Sequence, residues 1–90
     1  MNKIHKVQIA PDDKQHQVTV PKDSHFIAAK ALYDGILVYY TFSAASSGTE
    51  ERTILVVLTG QEYDFHTTRY IDTVMLLDGR YVAHVFEVAP

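Results

Sequence analysis

Two Asp-Gly dipeptides, each flanked by apolar, β-rich runs, constrain the fold of this 90-residue chain more than any other feature. Asp34-Gly35 precedes ILVYYTF, and Asp78-Gly79 separates YIDTVMLL from RYVAHVFEVA. A dipeptide of this kind between two such runs is the strongest short-range signal for a β-hairpin, because both residues tolerate the positive φ of a tight hairpin turn. The sequence therefore predicts two hairpins with four strands: 26–33 with 36–43, and 70–77 with 80–88.

The stretch before the first dipeptide, KDSHFIAAKALYDG, also fits a second interpretation. Asp23 or Ser24 can cap a helix, the alanines favour one, and Gly35 can end it. We favour the hairpin, because ILVYYTF after the dipeptide is rich in β-branched and aromatic residues. A short helix near 24–33 stays open.

The rest of the chain alternates between strand-like runs and turn signals. KIHKVQIA (3–10) and QHQVTV (15–20) flank the turn PDDK and are predicted to form a hairpin, and RTILVVLTG (52–60) is a further strand. AASSGTEE (44–51) is a polar loop, and 61–69 is a longer connection. About seven short strands predict one all-β domain over 1–90, an antiparallel sandwich or barrel of six to seven strands.

Several of these strands are apolar on both faces. Val82, His84, Phe86 and Val88 share one face of the last strand, and ILVVL at 54–58 is apolar on both. A sheet with one wet face should alternate apolar and polar residues, so such strands need cover on both sides. A chain of this length has few elements to supply it, and the pattern predicts a homo-oligomer.

Composition excludes several classes of protein. Eleven acidic and eight basic residues leave a net charge of −3 with the signs interspersed, which argues against binding to duplex nucleic acid. The absence of cysteine excludes disulfides and thiol chemistry, and favours a reducing compartment. We expect no signal peptide and no membrane helix, since the longest apolar runs are about seven residues against the roughly 20 that a span needs. The predicted location is the cytoplasm.

No motif for catalysis, metal binding or a cofactor is found. The five histidines lie at none of the spacings that bring two imidazoles to one ion. The four glycines are isolated, so they cannot form a phosphate-binding loop, and no serine lies in a nucleophile elbow. We therefore expect no catalytic residue, no metal, no cofactor and no enzymatic activity.

One segment, TGQEYDFHTTRY (59–70), is suited to ligand binding. Its glycine lets backbone approach a ligand, its aromatic rings can stack, and its guanidinium can bind phosphate bidentately. Together with the histidine of the last strand, it supplies the candidate ligand-binding residues Thr59, Gly60, Tyr63, His66, Thr68, Arg69 and His84. Two interpretations of His84 are possible: its side chain is buried in the strand, or it faces a ligand. We favour the buried side chain. We predict that Arg69→Ala weakens binding.

Short blocks along nearly the whole chain resemble a known family. They are KIHKVQI, TVP at 19–21, the hairpin ending in ILVYYTF, ERT with TG, and YIDTV with DGRYVAHVFE. In them the chain resembles an uncharacterised family of small bacteriophage proteins with a C-terminal HVFE block. The resemblance implies an all-β fold, an extended 26–33 and a phage origin, hence the host cytoplasm. It implies no activity, and the loop between Gly60 and Tyr70 departs from it.

These observations lead to a hypothesis with two alternatives. The leading one is a non-enzymatic sponge that sequesters a small nucleotide-like defence signal in pockets near 60–69 and His84, between protomers. The first alternative is a protein–protein inhibitor of a host defence complex, similar to an anti-CRISPR protein, anchored by exposed Tyr39, Tyr40 or Tyr63. The second is a phage structural or assembly module.

Overall fold

A computed structural model describes all residues, 1–90, as a sandwich of two antiparallel sheets. The strands are β1 (Asn2–Ile9), β2 (Gln15–Pro21), β3 (His25–Leu32), β4 (Gly35–Ser43), β5 (Thr49–Leu58), β6 (Thr68–Leu76) and β7 (Tyr81–Val88). One sheet has three strands in the order β1-β4-β3, and the other has four in the order β2-β5-β7-β6. A 3-10 helix, Phe65–Thr67, precedes β6. No helix of the chain has the length and apolar character needed to span a membrane.

The all-β prediction and both Asp-Gly hairpins are confirmed, since β3 pairs with β4 and β6 with β7. Residues 25–32 form a strand, so the alternative prediction of a short helix near 24–33 is wrong. In the first hairpin the turn lies at 33–34, and Gly35 already belongs to β4. A Cβ at Gly35 would lie 2.9 Å from the carbonyl oxygen of Ile9, so this glycine is required by the approach of β1. The second connection spans 77–80.

The predicted hairpin of 3–10 with 15–20 is wrong. β1 pairs with β4, with Ile9 opposite Ile36, whereas β2 pairs with β5 in the other sheet. The turn signals of 10–14 therefore do not close a hairpin, because β1 and β2 belong to different sheets. The connection instead crosses from one sheet to the other. The loop predicted over 44–51 is also shorter, because β5 begins at Thr49.

The core lies between the sheets and is made by alternate residues of every strand. Ile36, Val38, Ile54, Ala83 and Val85 are fully buried there. Along one side, the edge strands β3 and β6 lie next to each other, each with a register shift.

The outer face of the four-stranded sheet is partly covered by the chain itself. Val57 and Phe86 point away from the core, yet only 5% and 6% of their surface is exposed. The connection between β5 and β6 lies over them, with the Tyr63 ring 4.7 Å from that of Phe86 between centroids. Part of the cover that the sequence assigned to another copy therefore comes from 59–67.

Candidate functional site

An open groove of about 410 Å³ lies on the outer face of the four-stranded sheet, beside the β5–β6 connection. One chain forms all of it. Its lining is Val57, Leu58, Thr59, Gly60, Gln61, Tyr63, Phe65, Tyr70, His84 and Phe86. Four of the predicted ligand-binding residues are thus brought together: Thr59, Gly60, Tyr63 and His84.

His84 is half-buried in β7, and both of its ring nitrogens contact threonine hydroxyls. Nε2 lies 2.8 Å from Oγ1 of Thr59, and Nδ1 lies 3.1 Å from Oγ1 of Thr73. The Thr73 hydroxyl is in turn 2.7 Å from the hydroxyl of Tyr70. Because hydroxyls and a neutral imidazole can each donate or accept, this row of four groups can adjust its donors and acceptors to a bound molecule. We call Thr59, His84, Thr73 and Tyr70 the polar row.

The turn after β5 holds Thr59 against His84. The Thr59 amide donates to the carbonyl of Val82 over 3.2 Å, and the Gln61 side-chain oxygen accepts from the Leu58 amide over 2.8 Å. Gly60 has φ +95°, where L side chains are strained, and a Cβ there would meet nothing within 4 Å. The turn conformation therefore requires glycine and leaves open space in front of it.

A second interaction fixes this turn to the β1–β2 connection. The Gln61 side-chain amide donates to the carboxylate of Asp13. This hydrogen bond, together with one from the backbone, lowers the pKa of Asp13 below its ordinary value. Asp13 therefore carries its negative charge at neutral pH while it holds the turn in place.

Aromatic rings form the floor and one wall of the groove. Phe86 is the floor, with Tyr63 tilted over it and the Tyr70 ring 5.7 Å away, edge-on, at 69°. Tyr63 and Phe65 keep 42% and 69% of their surface exposed, and Tyr70 keeps 56%. These faces are free to stack against a planar ligand.

The other three predicted residues, His66, Thr68 and Arg69, line a separate cavity of about 480 Å³. Strand alternation explains the division: Arg69 and Tyr70 are neighbours in β6 and point to opposite faces. Arg69 reaches β3, with Nη2 2.8 Å from Nδ1 of His25. The Thr68 hydroxyl donates to the carbonyl of Asp64, which caps the 3-10 helix.

That second cavity is not cationic overall. Its lining includes three carboxylates, from Glu50, Glu51 and Glu87, against the guanidinium groups of Arg52 and Arg69. Arg52 is held by Glu87 through two hydrogen bonds and by Glu50 at 3.2 Å, and the bond to Glu87 is the main cause that raises the pKa of Arg52. A phosphate entering this cavity would therefore have Arg69 as its one cation without a carboxylate partner.

Tyr70 and Phe86 line the groove, and Thr73 contacts the groove residues His84 and Tyr70. These three residues were not singled out from the sequence. The register of the β6–β7 hairpin carries the missing signal, because Thr73 lies directly opposite His84 and Tyr70 opposite Phe86. Among the tyrosines predicted to be exposed anchors, the prediction for Tyr40 is wrong. Its side chain is 7% exposed and packs edge-on against Phe26 in the core. No group of three or more histidine, aspartate or glutamate side chains is arranged to hold a metal ion.

Comparison with known proteins identifies a family. A family model described as "Domain of unknown function (DUF7352)" matches residues 1–90. Neither a search of curated proteins nor a search of solved structures finds a match.

Proposed function

Because the chain belongs to the DUF7352 family, a domain of unknown function, we propose its function from the groove itself. The protein is a non-enzymatic binding protein that sequesters a small nucleotide-like molecule, held by its planar base in the groove beside His84. The single observation that carries the proposal is the polar row beside the exposed aromatic rings of the groove.

The chemistry of a nucleobase matches these two parts of the groove. Every base has a π-face, and stacking on an aromatic side chain contributes about 1–3 kcal/mol per base. The edge of a base presents both donors and acceptors, and the polar row offers groups that switch between the two roles. The exposed rings of Tyr63 and Tyr70 then supply the stacking, and Thr59 and Thr73 supply the hydrogen bonds.

Binding without turnover is supported by the partners of His84. A general base needs a free nitrogen within reach of the substrate proton, and a third group, commonly a carboxylate, to orient its ring. Here both nitrogens contact threonine hydroxyls, and no carboxylate is bonded to the ring. We therefore expect the protein to release its ligand chemically unchanged.

The phosphate of such a ligand would have to reach beyond the groove, because no lysine or arginine lines it. Arg69, the arginine named from the sequence, lines the second cavity. Arg69→Ala separates two ligand classes. A ligand long enough to use both cavities loses affinity in this variant, and one recognised by its base alone does not.

Two further parts of the proposal rest on sequence. The resemblance to small phage proteins supports a defence signal of the host as the ligand, captured in the host cytoplasm. The apolar side chains left exposed support a homo-oligomer: Ile4, Tyr33, Met75, Leu77 and Tyr81 are each at least half exposed. A protein–protein inhibitor and a phage assembly module are the alternatives that the following experiment separates.

Thermal unfolding and calorimetry with a panel of mononucleotides and cyclic oligonucleotides test the proposal. Ligand at about 100 times its Kd stabilises the native state by about 2.7 kcal/mol, which raises the melting temperature by several degrees. Tyr63→Ala and Thr73→Val should remove the shift. Thr19→Val, an exposed threonine on β2 of the same sheet outside the groove, should retain it.

Native mass spectrometry of protein from cells expressing defence systems complements the panel. Stoichiometric extra mass that is released unaltered supports the sponge. An altered ligand would make the protein an enzyme. A host polypeptide bound in place of a small molecule would favour the inhibitor, and a chain that ignores the panel and carries no ligand would overturn the proposal.

A further inference from the structure

One end of the sandwich is apolar, exposed and acidic. The connections 10–14, 33–34 and 77–80 meet there, around cavities of about 300 and 500 Å³ that share Leu32, Tyr33, Leu76 and Leu77. Leu76 is buried as the floor, whereas Tyr33 is 102% exposed and Leu77 is 63% exposed. No part of the chain covers Tyr33 or Leu77. We call this region the apolar end.

The apolar end carries net negative charge. Its three connections contain four carboxylates, from Asp12, Asp13, Asp34 and Asp78, and two cations, Lys14 and Arg80. The ordinary expectation for such an end is a polar turn region that faces water. Large exposed apolar side chains with a charged rim instead indicate an interaction surface.

Backbone strain singles out Leu77 within this surface. Leu77 has φ +50° and Asp78 has φ +56°, in the left-handed region that costs a leucine about 1 kcal/mol or more. A leucine that is both strained and exposed does not stabilise the isolated chain. Its conformation presents an apolar side chain at the tip of the β6–β7 hairpin.

The three-stranded sheet offers the complementary chemistry. Its strands β1, β3 and β4 contain no aspartate or glutamate and carry three lysines. On its outer face Lys6 lies opposite Tyr39, and Lys30 lies opposite Leu37. Ile4 shares a cavity with Lys6 and is 60% exposed. We call this the basic face.

We propose that the apolar end of one copy docks on the basic face of a second copy. The proposal rests on the homo-oligomer of the proposed function and is independent of its ligand. Charge selects this pairing. Two apolar ends repel each other, as do two basic faces, whereas an end and a face attract and also bury apolar side chains on both sides. Such a contact is heterologous, so the copies form a ring or an open chain.

Sedimentation and light scattering with charge-swapped variants test the pairing. Asp34→Lys with Asp78→Asn reverses the charge of the end and keeps a residue at 78 that suits positive φ. Lys6→Glu with Lys30→Glu reverses the face. Each double variant alone should self-associate more than about tenfold more weakly than the natural chain. An equimolar mixture of the two should regain association, because each supplies the charge that the other has lost.

Wild-type association should also weaken as salt rises from about 0.05 to 0.5 M, where screening shortens the range of the charges. A natural chain that stays a 10.2 kDa monomer at high concentration would overturn the proposal. Undiminished association of either double variant would do so too, as would a mixture of folded variants that stays monomeric. The ligand-induced shift in melting temperature distinguishes the two proposals: weakly associating variants should keep it, because one chain forms the whole groove.

Discussion

At the scale of single residues, His84 of β7 contacts the turn after β5 through Thr59 and contacts β6 through Thr73. We expect His84→Ala to lower the free energy of unfolding by about 1–2 kcal/mol, because the hydroxyls of Thr59 and Thr73 each lose a partner. Urea unfolding with and without ligand measures the loss, which should be similar in both. His66→Ala is the control, since that imidazole is exposed and only its backbone amide is bonded. A His84→Ala protein of wild-type stability that fails to bind ligand would instead place His84 among the ligand contacts.

Asp13 makes the turn at the groove sensitive to acid. Its pKa is lowered in the folded state, mainly by the Gln61 hydrogen bond, so the unfolded chain binds the proton more readily. The stabilisation is therefore complete above the unfolded pKa of about 3.9 and is lost as the pH falls through the lower folded value. We expect Asp13→Asn to lose this part of the acid dependence. Gln61→Leu should raise the Asp13 pKa toward the ordinary value of an aspartate in a carboxyl NMR titration, and an unmoved pKa would contradict the assignment.

The composition of the groove was only partly predictable at this scale. Thr59, Gly60, Tyr63 and His84 come together because a short turn and the β5–β7 pairing place them on one face. Arg69 does not join them, because its neighbour Tyr70 takes the position facing the groove. Alternation within β6 decides this, and it depends on a register shift between Tyr70 and Asp72 that local sequence does not reveal.

At the scale of elements, Leu77 in the β6–β7 connection lowers local stability through its positive φ and adds exposed apolar surface to the apolar end. We expect Leu77→Asn to raise the free energy of unfolding by about 0.5–1 kcal/mol, because asparagine tolerates φ +50° better than leucine does. The same change should weaken self-association, since it removes an apolar side chain from the apolar end. Chemical denaturation and sedimentation of one preparation give both quantities.

Met75→Asn is the matched control for this element. Met75 is 68% exposed in β6, one strand position before Leu76, and its φ is not positive. Asparagine there relieves no strain and has low β-propensity, so no gain in stability is expected. A gain at Met75 equal to that at Leu77 would show that the effect is a loss of exposed apolar surface and not relief of the backbone.

The strands also show which strand pairings can be predicted from a sequence. The 3–10 and 15–20 segments flank a turn-rich connection as a hairpin would, yet β1 and β2 join different sheets. Their partners β4 and β5 lie about 30 residues away in sequence or more, and the choice depends on which strands meet across the core. The Asp-Gly hairpins succeed because their register is set within a few residues of the turn.

At the scale of the whole molecule, the two ends of the sandwich are built differently. The apolar end is open, whereas the opposite end is closed by a polar link between the sheets. Arg52 of β5 bonds Glu87 of β7 and also donates to the carbonyl of Ser24 over 3.0 Å. Its guanidinium stands 5.3 Å from the centre of the Phe26 ring in β3. One arginine thus ties the four-stranded sheet to the three-stranded sheet.

Removing one partner of this pair should cost more than removing both. The Arg52 and Glu87 side chains are 21% and 10% exposed, so either charge left alone is poorly solvated. We expect Arg52→Met to lower the free energy of unfolding by about 3 kcal/mol, and Arg52→Met with Glu87→Leu to recover much of that loss. Denaturation of the two single variants and the double variant gives the coupling energy. Additive single losses would mean that the two charges act independently, and that the sheets are held at this end by apolar packing around Phe26 alone.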